Sequence, residues 1–158
     1  MNDTALNVPL RPFWLALAAL MVAFHLGLIF SGLVPNLISR PLHLAFVLPW
    51  VFVFGAKSKW QLGSGLVLTV LGVSAALWTA INHDMLGDQY GFLEGDLQIG
   101  IAVVLLACVI EAARRAIGWP LPLVAVAALA YALFGAHIPG EFGHSGPPLR
   151  SFLGSMTI

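Results

Sequence analysis

The stretch Glu111-Ala112-Ala113-Arg114-Arg115-Ala116-Ile117-Gly118-Trp119-Pro120 stands between two apolar runs, each close to the length that crosses a bilayer. On its amino-terminal side Leu97 to Ala113 carries one charge, Glu111, near its end, and on its other side Leu121 to Ala136 carries none. Both runs lose free energy in water and gain it in lipid. The arginines between them cannot lie at the bilayer centre, where a cation costs at least a few kcal/mol. Arg114 and Arg115 therefore mark a membrane surface, where one helix ends and the next begins.

Working outward, the whole chain has the same character. Its 158 residues are 59% hydrophobic and 9% charged, and mean hydropathy is +0.93. A soluble globule of this size carries charge on about a quarter of its residues. The composition predicts an all-α integral membrane protein, a single transmembrane domain over residues 1–158. Seven basic and seven acidic residues balance, and no basic stripe or aromatic-rich strand suggests a nucleic-acid partner. Cys108 is the sole cysteine, which excludes an internal disulfide and a cysteine-based zinc site.

Five hydrophobic segments can be drawn, over about 12–30, 41–55, 62–81, 97–117 and 120–136, followed by a tail over 137–158. The second and fifth are short and each starts with proline at a position suited to a first helical turn. Pro49 should kink the second, which reaches across only if Leu37 and Ile38 or the Lys57–Trp60 flank contribute at the interfaces. The segment after Arg11 is longer than a signal-peptide core and lacks a clear cleavage site, so it reads as a retained helix. Lipidation motifs are not evident at either end.

Lysine and arginine set the orientation. Lys57 and Lys59 lie between segments two and three and Arg114 and Arg115 between four and five, whereas 82–96 holds Asp84, Asp88, Glu94 and Asp96 with no lysine or arginine. By the positive-inside rule the amino terminus is cytoplasmic, and the acidic connection and the carboxyl-terminal tail lie outside. Arg40 opposes this scheme. Trp14, Trp60, Trp78 and Trp119 fall near predicted helix ends, as interfacial anchors do.

Small residues repeat every fourth position at Ala19, Ala23, Gly27 and Ser31, at Gly72 and Ala76, and at Ala128, Ala132 and Ala136. Such stripes let helices approach closely, although alanine-rich helices also produce them by composition. Of the five histidines only His25 and His43 stand on helices at similar depth, the arrangement a membrane haem requires. A hydrogen-bonded or water-facing role is the ordinary alternative for that pair. His83, His137 and His144 read as solvated loop residues. Glu111 precedes Arg114 and Arg115 by three and four positions and pairs with either on a helix, so it reads as structural rather than ion-coupling. No soluble catalytic motif is present, and the residues by themselves predict no active site and no cofactor in this chain.

Arg40-Pro41-Leu42-His43-Leu44-Ala45-Phe46-Val47-Leu48-Pro49 and, more strongly, Val109 through Pro122 with its Glu-Ala-Ala-Arg-Arg centre, followed by Tyr131-Ala132-Leu133-Phe134-Gly135, resemble the small-subunit region of TAXI-type TRAP transporter permeases. The resemblance spans roughly Arg40 to the end. It implies the small, Q-type scaffold subunit of a tripartite secondary transporter for organic acids in a bacterial inner membrane. The implied partners are a large elevator-type permease subunit, which would carry the sodium coupling, and a periplasmic TAXI-type substrate-binding protein, with membrane lipids around them. On that reading Asp84, Asp88, Glu94 and Asp96 help dock the binding protein, Ala19, Ala23, Gly27, Ala128 and Ala132 pack subunits or helices, and Arg114, Arg115 and Trp119 anchor the interface. Leu149–Gly154 resembles the stretch before the large domain of fused permeases, and a tail read as unconstrained favours a separate subunit. The other functional class left open is a haem- or quinone-binding membrane anchor of a redox enzyme, with His25 and His43 as ligands.

Overall fold

The computed structural model describes residues 11–32 and 34–157 and gives the all-α architecture of a membrane protein, with no strand among the described residues. The stretch from Met1 to Leu10, on which part of the retained-helix reading rests, lies outside the described residues, as does the side chain of Arg11. Among the described residues seven α-helices follow in order: α1 Arg11–Ser31, α2 Asn36–Pro49, α3 Lys59–Ile81, α4 His83–Asp88, α5 Gly95–Ile117, α6 Pro120–Phe134 and α7 Leu149–Thr157. Five stretches of the described residues are long and apolar enough to cross a membrane: Pro12–Ser31, Asn36–Phe54, Lys59–Ile81, Gly95–Ile117 and Pro120–His137. Helix satisfies every backbone group within the segment, which hydrocarbon demands. The residues group into two compact units, Met1–His83 and Asp84–Ile158.

In the first unit α2 departs from the sequence expectation at both ends. It starts at Asn36 rather than Pro41, because Pro35, in an extended conformation (φ −56°, ψ 147°), is the residue that breaks the chain. Pro41 instead lies inside the helix and is buried; the hydrogen bond its ring removes does not outweigh its packing. At the far end Pro49 is followed by one π-helical turn, Trp50–Phe54, closed by Gly55 N–H to the Trp50 carbonyl at 2.9 Å. A wider turn re-forms hydrogen bonding beyond a proline. The second span is thus 19 residues, long enough without help from its flanks.

α3 begins three residues before the expected Leu62 because Ser58 caps it. Ser58 Oγ accepts from Gln61 N–H at 3.2 Å, and Gln61 Oε1 accepts from Lys57 N–H at 2.9 Å, a variant of the capping box. α3 packs mainly on α2 through small residues, with Gly65, Gly72, Ala76 and Ala80 all buried. Near the start of α1, Trp14 is only 6% exposed and packs in an aromatic group with Trp50 and Phe54, whereas Trp60 is 84% exposed.

In the second unit α5 passes into α6 through Gly118 and Trp119. Gly118 has φ 100°, which a side-chain-bearing residue rarely adopts, and its N–H closes α5 on the Arg114 carbonyl at 3.0 Å. Pro120 then opens α6, which packs along α5. The tail is a correction. Instead of running unconstrained, its last stretch forms α7, whose Phe152, Leu153 and Gly154 are buried. Leu153 joins Leu93 and Ala102 in a core flanked by Ile99 and Leu106. Leu149, Phe152, Leu153 and Met156 recur at helical spacing and give the helix one apolar face. The tail therefore supplies no argument between a separate and a fused subunit.

Candidate functional site

The strongest sequence signal becomes the tightest polar cluster. Arg114 grips Glu111 with two donors, Nε to Oε2 at 2.6 Å and an Nη to Oε1 at 2.7 Å, and Arg115 Nε donates to Oε1 at 2.7 Å. The Arg114 guanidinium also lies 5.3 Å from the Trp119 ring centroid. One carboxylate thus orders both arginines at the end of α5, with a cation–π contact binding the first residue beyond the turn. The last turn of a helix also favours cations through its dipole. This arrangement orders the end of α5 and ties it to the turn that follows. Glu111→Ala should leave two guanidiniums without their counter-charge and reduce the amount of folded protein recovered in detergent, while Glu111→Asp should retain part of it.

The small-residue positions divide. Gly72 and Ala76 are buried within the first unit, as packing positions should be. Ala19, Ala23 and Gly27 are exposed on α1, and nothing stands within 4 Å of where a Gly27 side chain would begin. On α6 Ala128 is exposed and Ala132 half-buried.

All four acidic residues of the connection are exposed. Asp84 and Asp88 lie on α4, Glu94 precedes α5 and Asp96 is in its first turn. Asp96 stands 3.6 Å from Arg150 on α7, an exposed pair that contributes little stability by itself. Other contacts tie the same region together. Glu94 N–H donates to the buried Gln98 Oε1 at 2.7 Å, Arg150 donates to the Leu93 carbonyl at 3.3 Å, and Gly154 approaches Gly91 so closely that a methyl group there would overlap the Gly91 carbonyl. Gln98, Arg150 and the Gly91–Gly154 approach were not singled out by sequence. The one clue in the sequence is the helical spacing of Leu149, Phe152, Leu153 and Met156.

His25 and His43 do face each other. His25 Nδ1 donates to the Met21 carbonyl at 2.7 Å, so its Nε2 is the acceptor for His43 Nδ1 at 2.6 Å, with the rings nearly perpendicular. Ligation of one metal from opposite sides needs nitrogens roughly 4 Å apart, twice a metal–imidazole bond. The pair as arranged does not fit an iron between its rings. Among the described residues no group of three or more histidine, cysteine or acidic side chains could hold a metal ion. His144 departs from the solvated-loop expectation: its Nε2 donates to the Tyr131 carbonyl at 3.2 Å and its ring packs on Tyr131, folding the loop back over the end of α6.

These features define an all-α membrane protein whose polar contacts tie helix ends together. No family model matches the chain, and no curated protein or solved structure is significantly similar to it.

Proposed function

We propose that the chain is the small scaffold subunit of a tripartite, TAXI-type TRAP secondary transporter for organic acids. It would sit in a bacterial inner membrane with its amino terminus cytoplasmic and its carboxyl terminus periplasmic. It braces the large elevator-type permease, which carries substrate and sodium, and its acidic connection helps receive the periplasmic binding protein. The observation that supports this reading best is the uncovered small-residue face of α1, Ala19, Ala23 and Gly27, where a neighbouring helix can approach backbone to backbone. The Val109–Pro122 resemblance supplies the family, and the Glu111–Arg114–Arg115 cluster suits a fixed brace rather than a moving carrier. Rim charges such as Asp84 and Asp88 would tune encounter with the binding protein more than affinity.

Reconstitution tests the role. In proteoliposomes the chain alone should give no organic-acid uptake, and uptake should require the chain, the large subunit and the binding protein together. Uptake by the chain alone would refute the proposal. Gly27→Leu should weaken association with the large subunit by on the order of tenfold, about 1.4 kcal/mol, without lowering the helix content of the isolated chain. The redox-anchor alternative has one observation in its favour, the approach of His25 and His43. An absorption spectrum of protein purified from haem-replete cells separates the two readings. The scaffold reading predicts no Soret band, and a band lost in both His25→Ala and His43→Ala variants would transfer the assignment to the redox class.

A further inference from the structure

The first two turns of α2 carry an exposed polar line that a lipid-facing helix would not keep. Asn36, Arg40 and His43 follow one another at intervals of four and three residues, so they share one face, and all three are exposed. Arg40 makes no ion pair among the described residues. The hydrogen-bond order of the histidine pair then decides what His43 presents. With both imidazoles neutral, the Met21 carbonyl fixes the proton of His25 on Nδ1, His43 donates from its own Nδ1, and its Nε2 is left as an acceptor on that exposed face. His25 lies six residues before the end of α1 and His43 seven after the start of α2, about 9 and about 10 Å of helix rise below those ends. Hydrocarbon at that depth provides no donor.

We propose that this face of α2 is the docking line for one transmembrane helix of a larger membrane partner, which presents a carboxylate to Arg40 and a neutral hydrogen-bond donor one turn deeper to His43. The inference rests on the scaffold reading and adds which face meets the partner and what chemistry meets it. Complementarity selects the occupant. A guanidinium near the helix end takes a carboxylate with two parallel hydrogen bonds, and the acceptor about 4.5 Å deeper takes a hydroxyl, amide or indole N–H. It also accounts for Arg40, the residue that opposes the positive-inside pattern: its place is set by a partner's charge rather than by the membrane potential.

The test uses the full chain in its native membrane with a photoreactive benzoylphenylalanine at Val47, one turn beyond His43 on the same side, leaving the polar line intact. The expected adduct is with a helix of another membrane protein, mapped by mass spectrometry to a segment with Asp or Glu and, one turn deeper, a donor side chain. Arg40→Glu should lower adduct yield at least about tenfold, and changing the mapped carboxylate to arginine should restore it. His43→Leu should reduce the yield and His43→Gln, which keeps an acceptor, should reduce it less. An adduct confined to lipid, to a second copy of this chain or to residues 84–158 of the same chain would overturn the proposal, as would a yield indifferent to Arg40→Glu. If the chain still co-isolates with a large permease in those cases, the docking line fails while the scaffold role stands; if no larger partner is present, both fail.

Discussion

Replacing Arg114 and Arg115 together by alanine is expected to turn one membrane orientation of the α5–α6 hairpin into a mixture. In the proposed orientation, holding the junction at the cytoplasmic surface depends on the cost of carrying arginine through hydrocarbon, about 2.5–3.5 kcal/mol for each. Removing both lowers the barrier against translocating Gly118 and Trp119 by on the order of 5 kcal/mol. The same change strips Glu111 of the three hydrogen bonds that order it. A cysteine introduced at Ser145, with Cys108 replaced by alanine, reports the result through a membrane-impermeant thiol reagent. In the parent it should label from the periplasmic side only; in the double variant a substantial fraction should label only after the inner face is opened. Arg114→Lys with Arg115→Lys retains the charge and should retain the single orientation, although lysine cannot reproduce the two-pronged grip on Glu111. Labelling unchanged in the alanine variant would show that other signals set the topology.

The second large effect concerns α7. Gly154 meets the backbone of Gly91, whose φ of 79° places its carbonyl in the path of any side chain at position 154. The obstacle is backbone and cannot swing away. Gly154→Val should therefore push α7 off α5 at a cost of about 1–3 kcal/mol or more, typical of overpacking a tight contact. Phe152→Ala, which instead removes buried apolar surface, should weaken docking by about 3–5 kcal/mol. Both variants should expose the Leu149–Thr157 segment to added protease while the spans stay protected. Ser155→Ala serves as the control, because Ser155 is exposed and its hydroxyl bonds only within its own helix. Equal protease resistance in all four proteins would mean that α7 contributes no docking.

How much of this was legible in the sequence follows from range. The α5–α6 junction was readable because its signals are local: a carboxylate three and four residues before two arginines, then Gly118 and Pro120 within one turn. The first, third and fourth segments were readable because apolar length alone specifies a spanning helix. α2 was misjudged at its start because Pro41 looks like a helix opener, and only the tertiary packing of its ring shows that the helix runs through it to Pro35. α7 was missed for the related reason that nine residues carry too little pattern to declare a helix without the core of Leu93 and Ala102 that receives them. The small-residue stripes are visible as spacing, yet spacing does not say which face meets a neighbour: among the described residues of the first unit Gly72 and Ala76 are buried, and Ala19, Ala23 and Gly27 are exposed. The histidine pair was foreseen by depth, whereas its closure as a hydrogen bond depends on the Met21 carbonyl and had no sequence mark.

If the chain is a brace for a larger permease, as proposed, the two leave the membrane together. Isolating it from its native membrane in a mild detergent, at its natural level, and weighing the intact complex by mass spectrometry should give a stoichiometric complex with a large multi-span permease, stable without bound haem. Recovery of the chain as a lone monomer that transports substrate, or in a complex with a haem-bearing redox enzyme, would contradict it.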